Sequence, residues 1–125
     1  MRVIDTSAWI EWFEDSPVAD AIAAELPAKE FCLVPTIVLL ELAKWLAREL
    51  PAERASRALS YVSDCRVIVL DSEIALLAAA LSRSARLSTA DAIIYATATH
   101  FDAELLTCDA HFRDLPRVLY FVKQR

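Results

Sequence analysis

Close to the start of the chain lies Arg2-Val3-Ile4-Asp5-Thr6-Ser7-Ala8-Trp9, in which a short apolar run is followed by one carboxylate and then by a helical pattern. Four further apolar runs resemble strands, and helical patterns fill the gaps between them. The predicted strands are Arg2–Ile4, Phe31–Val34, Arg66–Leu70, Glu104–Thr107 and Val118–Val122. Strands that alternate with helices indicate a mainly parallel sheet covered by helices. We therefore expect one α/β domain over residues 1–125, with a central sheet of about five strands.

Helices are predicted between these strands, and several of them begin at a proline or an acid. The predicted ranges are Ser7–Glu14, Pro17–Leu26, Pro35–Leu50, Pro51–Ser63, Asp71–Arg83 and Ser88–His100. Trp9, Trp12 and Phe13 recur at helical spacing, which is typical of a core-facing stripe. The run Ile74–Leu81 is apolar on every face of its helix, so we expect it either to be deeply buried or to contact a partner.

Composition excludes several classes of protein. The chain is 57% hydrophobic and 25% charged, which is typical of a folded domain, and no membrane segment or secretory signal is expected. The absence of glycine excludes the phosphate-binding loops that need its backbone freedom. The net charge is −5, so any affinity for RNA or DNA must come from a local basic rim or from a metal. Three widely spaced cysteines, Cys32, Cys65 and Cys108, are expected to be buried thiols of a cytoplasmic protein.

Four acids have unusual positions in this sequence. Asp5 and Asp109 follow predicted strands, whereas Glu41 and Asp91 lie within apolar helical sequence. In an open α/β sheet, ligands collect at the carboxyl ends of the strands. Converging carboxylates repel one another unless a divalent cation is present, and ligation by oxygen alone favours Mg²⁺ or Mn²⁺. Such a site acts on phosphate esters.

Each of these acids also has a purely structural interpretation. The alternatives are helix capping by Asp5, Asp109 and Asp71, a capping box between Ser88 and Asp91, and an ion pair between Glu41 and Lys44. Capping does not explain why Glu41 and Asp91 are surrounded by apolar residues. The two histidines, His100 and His111, are too far apart for a helical metal pair and are interpreted as surface residues.

Four motifs in order carry a resemblance to a known family. They are Val3–Trp9, Glu41-Leu42, Thr89–Ala92, and Leu106–Asp109 followed by Phe112. Together they resemble the PIN-domain family, in particular the VapC-type ribonuclease toxins of toxin–antitoxin pairs. The resemblance spans essentially the whole chain and implies a three-layer α/β/α sandwich whose acidic pocket holds one or two Mg²⁺ or Mn²⁺ ions.

The resemblance also implies roles for individual residues. Asp5, Glu41, Asp91 and Asp109 would form the catalytic acidic quartet, with Asp5, Asp91 and Asp109 as metal ligands. Thr6, Ser7 and Thr107 match polar positions near the pocket. Asp71 falls at a helix start that carries no chemistry in the family, and Asp114 is a further acid of open role. A metal-dependent endoribonuclease is therefore expected, with a cognate antitoxin and a homodimer as its assemblies.

Two other functions are compatible with parts of this pattern. One is a catalytically silent PIN-like module that only binds RNA or protein. The other is a phospho-acceptor receiver domain, which is disfavoured because the first strand has no adjacent pair of acids. For an RNA substrate, the phosphate contacts would come from the cations near the chain's second half, and a structured RNA with an exposed loop is a plausible target. These cations, which are equally well explained as scattered surface charges, are Arg83, Arg86, Arg113, Arg117, Lys123 and Arg125.

Overall fold

The computed structural model describes residues 1–123. Within this range five strands form one sheet. The strands are β1 (Arg2–Ile4), β2 (Cys32–Pro35), β3 (Arg66–Ile68), β4 (Glu104–Thr107) and β5 (Val118–Tyr120), in the order β3-β2-β1-β4-β5. Every neighbouring pair is parallel. The predicted parallel sheet is therefore confirmed, although some strand ends differ by one or two residues.

The α-helices of this part of the chain complete an α/β/α sandwich. They are α1 (Thr6–Phe13), α2 (Ala19–Glu25), α3 (Thr36–Glu49), α4 (Ala52–Asp64), α5 (Ser72–Ser84) and α6 (Thr89–His100). Two short 3₁₀ turns, Lys29–Phe31 and Ala110–Phe112, lie just before β2 and shortly after β4. Pro35 and Pro51 immediately precede α3 and α4, where a missing N–H costs nothing. The fold class predicted from the sequence is confirmed.

The core lies on both faces of the central strands, because helices cover both faces of a parallel sheet. Its completely buried strand residues include Val3, Ile4, Leu33, Leu105 and Leu106. Trp9 of α1 is completely buried as well and stacks on Phe13, with 5.7 Å between the ring centroids. The aromatic stripe is therefore part of the core, as predicted.

Helix α5 is only partly covered by the rest of the protein. Ile74 and Ala78 are buried, whereas Leu76 is 74% exposed. Leu70, which precedes this helix, is 45% exposed. Deep burial of the run Ile74–Leu81 was one of two expectations, and it is wrong because only one face of α5 packs inward. The other expectation, a surface that contacts a partner, stays a prediction.

Turns form in this chain without glycine. Asp15, Arg86, Asp102 and Arg117 adopt left-handed backbone conformations, with φ between 51° and 62°. Aspartate tolerates this region, whereas arginine is an uncommon residue there. All three cysteines are buried and free, as predicted. None of the helices within the described residues is long and apolar enough to span a membrane.

Candidate metal centre

The strand order of the sheet reverses between β1 and β4. The chain runs from β1 to β2 and β3 on one side, and β4 then pairs with the opposite side of β1. Ligands of open α/β sheets bind in the crevice that such a reversal leaves at the carboxyl ends of the strands. Asp5 directly follows β1 and Asp109 lies two residues after β4. Both acids therefore lie at this crevice.

Asp5 is the innermost acid of the crevice, and two hydroxyl groups fix it. The residue is 4% exposed. Its Oδ2 accepts hydrogen bonds from Ser7 Oγ (2.6 Å) and from Thr107 Oγ1 (2.8 Å). Although Asp5 immediately precedes α1, its side chain makes no capping hydrogen bond. The capping interpretation of Asp5 is therefore wrong.

The same two hydroxyls join Asp5 to the segment that follows β4. Ser7 Oγ accepts a hydrogen bond from the Cys108 N–H (3.0 Å), and Thr107 Oγ1 accepts one from the Asp109 N–H (2.9 Å). This network fixes the backbone of Asp109 relative to the Asp5 carboxylate. Ser7 and Thr107 thus lie beside the acids, as the resemblance implies.

Asp91 and Asp109 meet at the mouth of the crevice, together with an imidazole. His111 Nδ1 lies 3.1 Å from Asp109 Oδ1 and 3.6 Å from Asp91 Oδ2. One ligand atom from each of these residues lies within 4.8 Å of the other two. The side chains of Asp91 and Asp109 are 18% and 29% exposed, so solvent reaches this part of the site.

Glu41 approaches Asp91 from α3. Its Oε1 accepts a hydrogen bond from Thr6 Oγ1 at 2.7 Å, and its charge contributes to a raised pKa at Asp91. Within residues 1–123 no ion pair joins Glu41 to Lys44, so that interpretation is wrong. The four acids that the sequence singled out are therefore near enough to interact electrostatically, Glu41 with Asp91, and Asp91 and Asp109 with Asp5.

Burial and the charges of neighbouring acids disfavour the charged forms of Asp5 and Asp91. The pKa of Asp5 is raised to about 6: burial is the main cause, hydrogen bonds from Ser7 and Thr107 oppose it, and the charges of Asp91 and Asp109 add to it. The pKa of Asp91 is also raised, first by burial and then by the charge of Asp109. A bound cation would remove this unfavourable energy.

Helix capping accounts for other contacts of the predicted acids. Ser88 Oγ accepts a hydrogen bond from the Asp91 N–H (3.3 Å), and Asp109 Oδ1 accepts one from the His111 N–H (2.9 Å). Asp91 and Asp109 therefore take part both in a cap and in the acidic cluster. Asp71 is exposed, and its Oδ1 accepts a hydrogen bond from the N–H three residues later at 2.9 Å, so its capping interpretation is confirmed.

The side chains at the crevice fit a divalent cation. Carboxylate oxygens are the ligands that Mg²⁺ and Mn²⁺ prefer. The burial of Asp5 and the repulsion among Asp5, Asp91 and Asp109 supply the electrostatic reason for a cation at this position.

A groove of about 500 Å³ opens beside these acids. Ser7, Asp109, Tyr120 and Lys123 are among the residues that line it. Burial raises the pKa of the Cys108 thiol to about 11, and the nearby charge of Lys123 opposes this rise. Among the predicted rim cations, Lys123 is therefore one that the structure places at the crevice.

Arg117 is placed at the other edge of the sheet. It immediately precedes β5 and forms an ion pair with Asp102, which lies shortly before β4. Both residues therefore lie at the amino ends of their strands, opposite Asp109. The prediction that Arg117 rims the pocket is wrong, because an ion pair and the strand direction hold it away from the acids.

The remaining predicted rim residues show no contact with the four acids in the described part of the chain. Arg113 pairs with its neighbour Asp114 at 3.7 Å, and the Asp114 side chain is almost fully exposed. Arg83 and Arg86 are exposed. Arg125 lies outside the described residues.

The sequence profile of the PIN domain family matches residues 2–118. The chain belongs to the PIN domain family. This match covers nearly the whole sequence and includes the four acids, so the resemblance seen in the motifs is confirmed. No curated protein matches this PIN domain at the level of sequence.

Solved structures have the same fold over nearly the full length of the PIN domain. A toxin–antitoxin complex from Klebsiella pneumoniae aligns with a TM-score of 0.86 at 23% identity, covering 99% of this chain and 100% of that chain. VapBC2 from Rickettsia felis, bound to a DNA fragment from its promoter, aligns with a TM-score of 0.76 at 18% identity, covering 98% of each chain. The sarcin–ricin loop cleaving toxin VapC20 from Mycobacterium tuberculosis aligns with 0.74 at 21% identity, covering 100% of this chain and 99% of that chain.

His111 is the residue of the site that the sequence analysis missed. It was interpreted as a surface residue because no second histidine lies at a helical ligand spacing. Its side chain is 77% exposed, but its ring contacts both Asp91 and Asp109. The available signal was its position two residues after Asp109, because side chains that close in sequence often lie side by side when the chain turns.

Proposed function

We propose that this PIN domain is a metal-dependent endoribonuclease, the toxin of a toxin–antitoxin pair. The observation that carries the proposal is the convergence of acids at the crevice between β1 and β4, with a raised pKa at Asp5 and at Asp91. The fold shared with an RNA-cleaving toxin supports it. We further propose that residues 1–125 act as one domain and that the protein is cytoplasmic, in keeping with its three free thiols.

Asp5, Asp91 and Asp109 are proposed to hold Mg²⁺ or Mn²⁺. When bound, such an ion polarises a phosphate and lowers the pKa of a water nucleophile. Ser7 and Thr107 orient the Asp5 carboxylate through their hydroxyl groups. Glu41, held by Thr6, completes the pocket and orients water. Each of the three hydroxyl residues Thr6, Ser7 and Thr107 thus has a role in holding one of the acids.

RNA is the proposed substrate, and the groove beside Asp109 is its proposed path. Lys123 supplies a positive charge for a phosphate there, and Tyr120 supplies an aromatic ring. Bases stack on aromatic side chains when they are unpaired. A structured RNA with an exposed loop is therefore the proposed class of substrate.

Cleavage of mixed RNA by the purified chain tests this function. We expect cuts with Mg²⁺ or Mn²⁺ and none with EDTA, and a loss of at least about 100-fold in Asp5→Asn and Asp91→Asn, because metal-ion stabilisation is worth several kcal/mol. Asp71→Asn is the matched control, since this acid also follows a strand but only caps a helix. Binding of RNA without any cleavage would instead support a catalytically silent module. Cleavage of single-stranded DNA under the same conditions measures the preference for RNA.

An antitoxin and a second copy of the chain are the proposed partners. Relatives of the same fold are solved as toxin–antitoxin complexes, which supports an antitoxin that covers the acidic pocket with a basic or apolar segment. The exposed apolar residues Leu70 and Leu76 at α5 support a homodimer. Light scattering should give a dimer for the wild type and a monomer for Leu76→Glu. Phe31→Ser, at an exposed site on another element, should leave the mass unchanged.

A further inference from the structure

The imidazole of His111 is exposed, yet it contacts two carboxylates of the candidate metal centre. Its Nδ1 lies near two carboxylates that come from different parts of the chain, at 3.1 Å from Asp109 and 3.6 Å from Asp91. The backbone N–H of His111 donates to the same Asp109 Oδ1 at 2.9 Å. That hydrogen bond caps the 3₁₀ turn Ala110–Phe112 and fixes the backbone of His111 beside the Asp109 carboxylate.

These separations suit a shared ion. Two ligand atoms at neighbouring corners of an octahedron, each about 2.1 Å from the metal, are about 3.0 Å apart. The distance from His111 Nδ1 to Asp109 Oδ1 is close to this value, and the distance to Asp91 Oδ2 exceeds it by about half an ångström. The three ligand atoms lie within 4.8 Å of one another, so small side-chain rotations bring them around one centre.

An ion pair is the simpler explanation of the same contacts. A pair that involves a side chain as exposed as His111 contributes little to stability. The other histidine illustrates such a contact: His100 Nε2 lies 3.8 Å from the single carboxylate of Glu73, which is 80% exposed. His111 differs because it contacts two partly buried acids, Asp91 and Asp109. The charge of Asp109 raises the pKa of Asp91, and a bound cation would relieve this repulsion.

We propose that His111 is a nitrogen ligand of the metal centre and makes the centre prefer Mn²⁺ to Mg²⁺. This inference rests on the metal centre of the proposed function and adds a residue to it. Mg²⁺ is a hard ion that takes oxygen ligands almost exclusively, whereas affinity for nitrogen ligands rises along the first-row transition metals from Mn²⁺ onwards. An imidazole beside three carboxylates therefore contributes more to the binding of Mn²⁺ than of Mg²⁺.

Pulsed electron paramagnetic resonance of Mn²⁺ bound to the purified full chain tests this ligand directly. A nitrogen bonded to Mn²⁺ modulates the electron spin echo, and ¹⁵N-labelling of histidine changes that modulation. The chain has only two histidines, so His100→Gln is a matched control. We expect the histidine signal in the wild type and in His100→Gln, and its loss in His111→Gln.

Competition between Mn²⁺ and Mg²⁺ gives a second measurement. We expect the Mn²⁺ affinity of His111→Gln to fall by about 10-fold, with a much smaller change for Mg²⁺ and none for either ion in His100→Gln. Since the His111 side chain is exposed, the folding of the variant is checked by its melting temperature in EDTA, which should match the wild type.

The outcomes separate this inference from the function on which it rests. Mn²⁺ that binds and is lost in Asp5→Asn, but shows no histidine nitrogen, overturns the role of His111 and leaves the carboxylate centre in place. An unchanged ratio of Mn²⁺ to Mg²⁺ affinity in His111→Gln also overturns it. A chain that binds neither ion overturns both proposals.

Discussion

Asp5 and Asp91 belong to one acidic cluster, but the protein holds them in different ways. Asp5 is 4% exposed and accepts two hydroxyl hydrogen bonds, one from α1 and one from β4. The Asp91 side chain is 18% exposed, lies in the first turn of α6 and contacts an exposed imidazole. The sheet thus positions the inner acid, whereas a helix terminus presents the outer one to solvent. The energetic cost of assembling the cluster is therefore expected to be greatest at Asp5.

The largest expected effect is a pH dependence that comes from Asp5. Burial raises the pKa of Asp5 from its ordinary value of 3.8 to about 6 in the folded protein, so the folded state binds this proton more tightly than the unfolded state. In EDTA, the stabilising contribution is complete below about pH 4 and is lost as pH rises through about 6, by up to about 3 kcal/mol. Urea denaturation from pH 4 to pH 8 measures it.

Asp5→Asn is the comparison that isolates this effect from the titration of other acids. The amide keeps an acceptor for the two hydroxyls but carries no charge. The free energy of unfolding of Asp5→Asn, relative to that of the wild type, should increase as pH rises from about 4 to about 6. Above about pH 6 the difference between the two proteins should stay constant. Parallel pH profiles for the two proteins would show that burial of Asp5 costs little.

Removal of the Thr107 hydroxyl should have the next largest effect. Thr107→Val keeps the shape of the side chain but takes a donor from Asp5 and an acceptor from the Asp109 N–H. The site is completely buried, so we expect a loss of about 1–3 kcal/mol in the free energy of unfolding. Chemical denaturation in EDTA at neutral pH measures this loss.

Thr97→Val is the matched control for that substitution. Thr97 is buried in α6, and its hydroxyl donates only to the Ile93 carbonyl of the same helix. Because that carbonyl is also available to the helix backbone, the control should lose less stability than Thr107→Val. Equal losses in both variants would mean that the network around Asp5 contributes nothing particular.

The smallest expected effect concerns Asp91 at the mouth. If this acid only served the helix terminus, Asp91→Asn would lose about 0.3–1 kcal/mol of favourable charge–dipole energy. Because its pKa is raised, we expect instead that Asp91→Asn melts slightly higher than the wild type in EDTA at neutral pH. Differential scanning calorimetry measures the sign.

Metal provides the second arm of the Asp91 experiment. An ion that binds only the folded state raises the melting temperature by mass action. The wild type should gain from Mg²⁺ or Mn²⁺, Asp91→Asn should gain much less, and Asp71→Asn should gain as much as the wild type. A less stable Asp91→Asn with an undiminished metal response would contradict a shared pocket.

Elements with a strong local signal were predicted well, and those with a weak one were not. β1 and β4 were predicted with the right limits because an apolar run ends at a polar residue. β3 was predicted two residues too long, through Val69 and Leu70, which are 66% and 45% exposed. The sequence alone does not show whether apolar residues at the end of an edge strand continue that strand or lie exposed in the loop that follows. Both cases give the same apolar run.

The candidate site was predictable in part for a similar reason. Asp5 and Asp109 were found from their position after strands, and Glu41 and Asp91 from their apolar surroundings together with the family resemblance. His111 was missed because its contact with Asp91 joins residues that are not neighbours in sequence. No periodicity reports such a contact.

The order of strands and helices, the apolar core and the identity of the four acids follow from the sequence, because hydrophobic periodicity and turn preferences act over a few residues. Which acids meet, and how each one is held, is decided by the tertiary structure. The hydrogen bond from Thr107 to Asp5 joins residues 102 positions apart, and the one from the Cys108 N–H to Ser7 joins residues 101 positions apart. Such bonds need donor and acceptor within about 3 Å and in line. Only the pairing of β1 with β4 brings them that close.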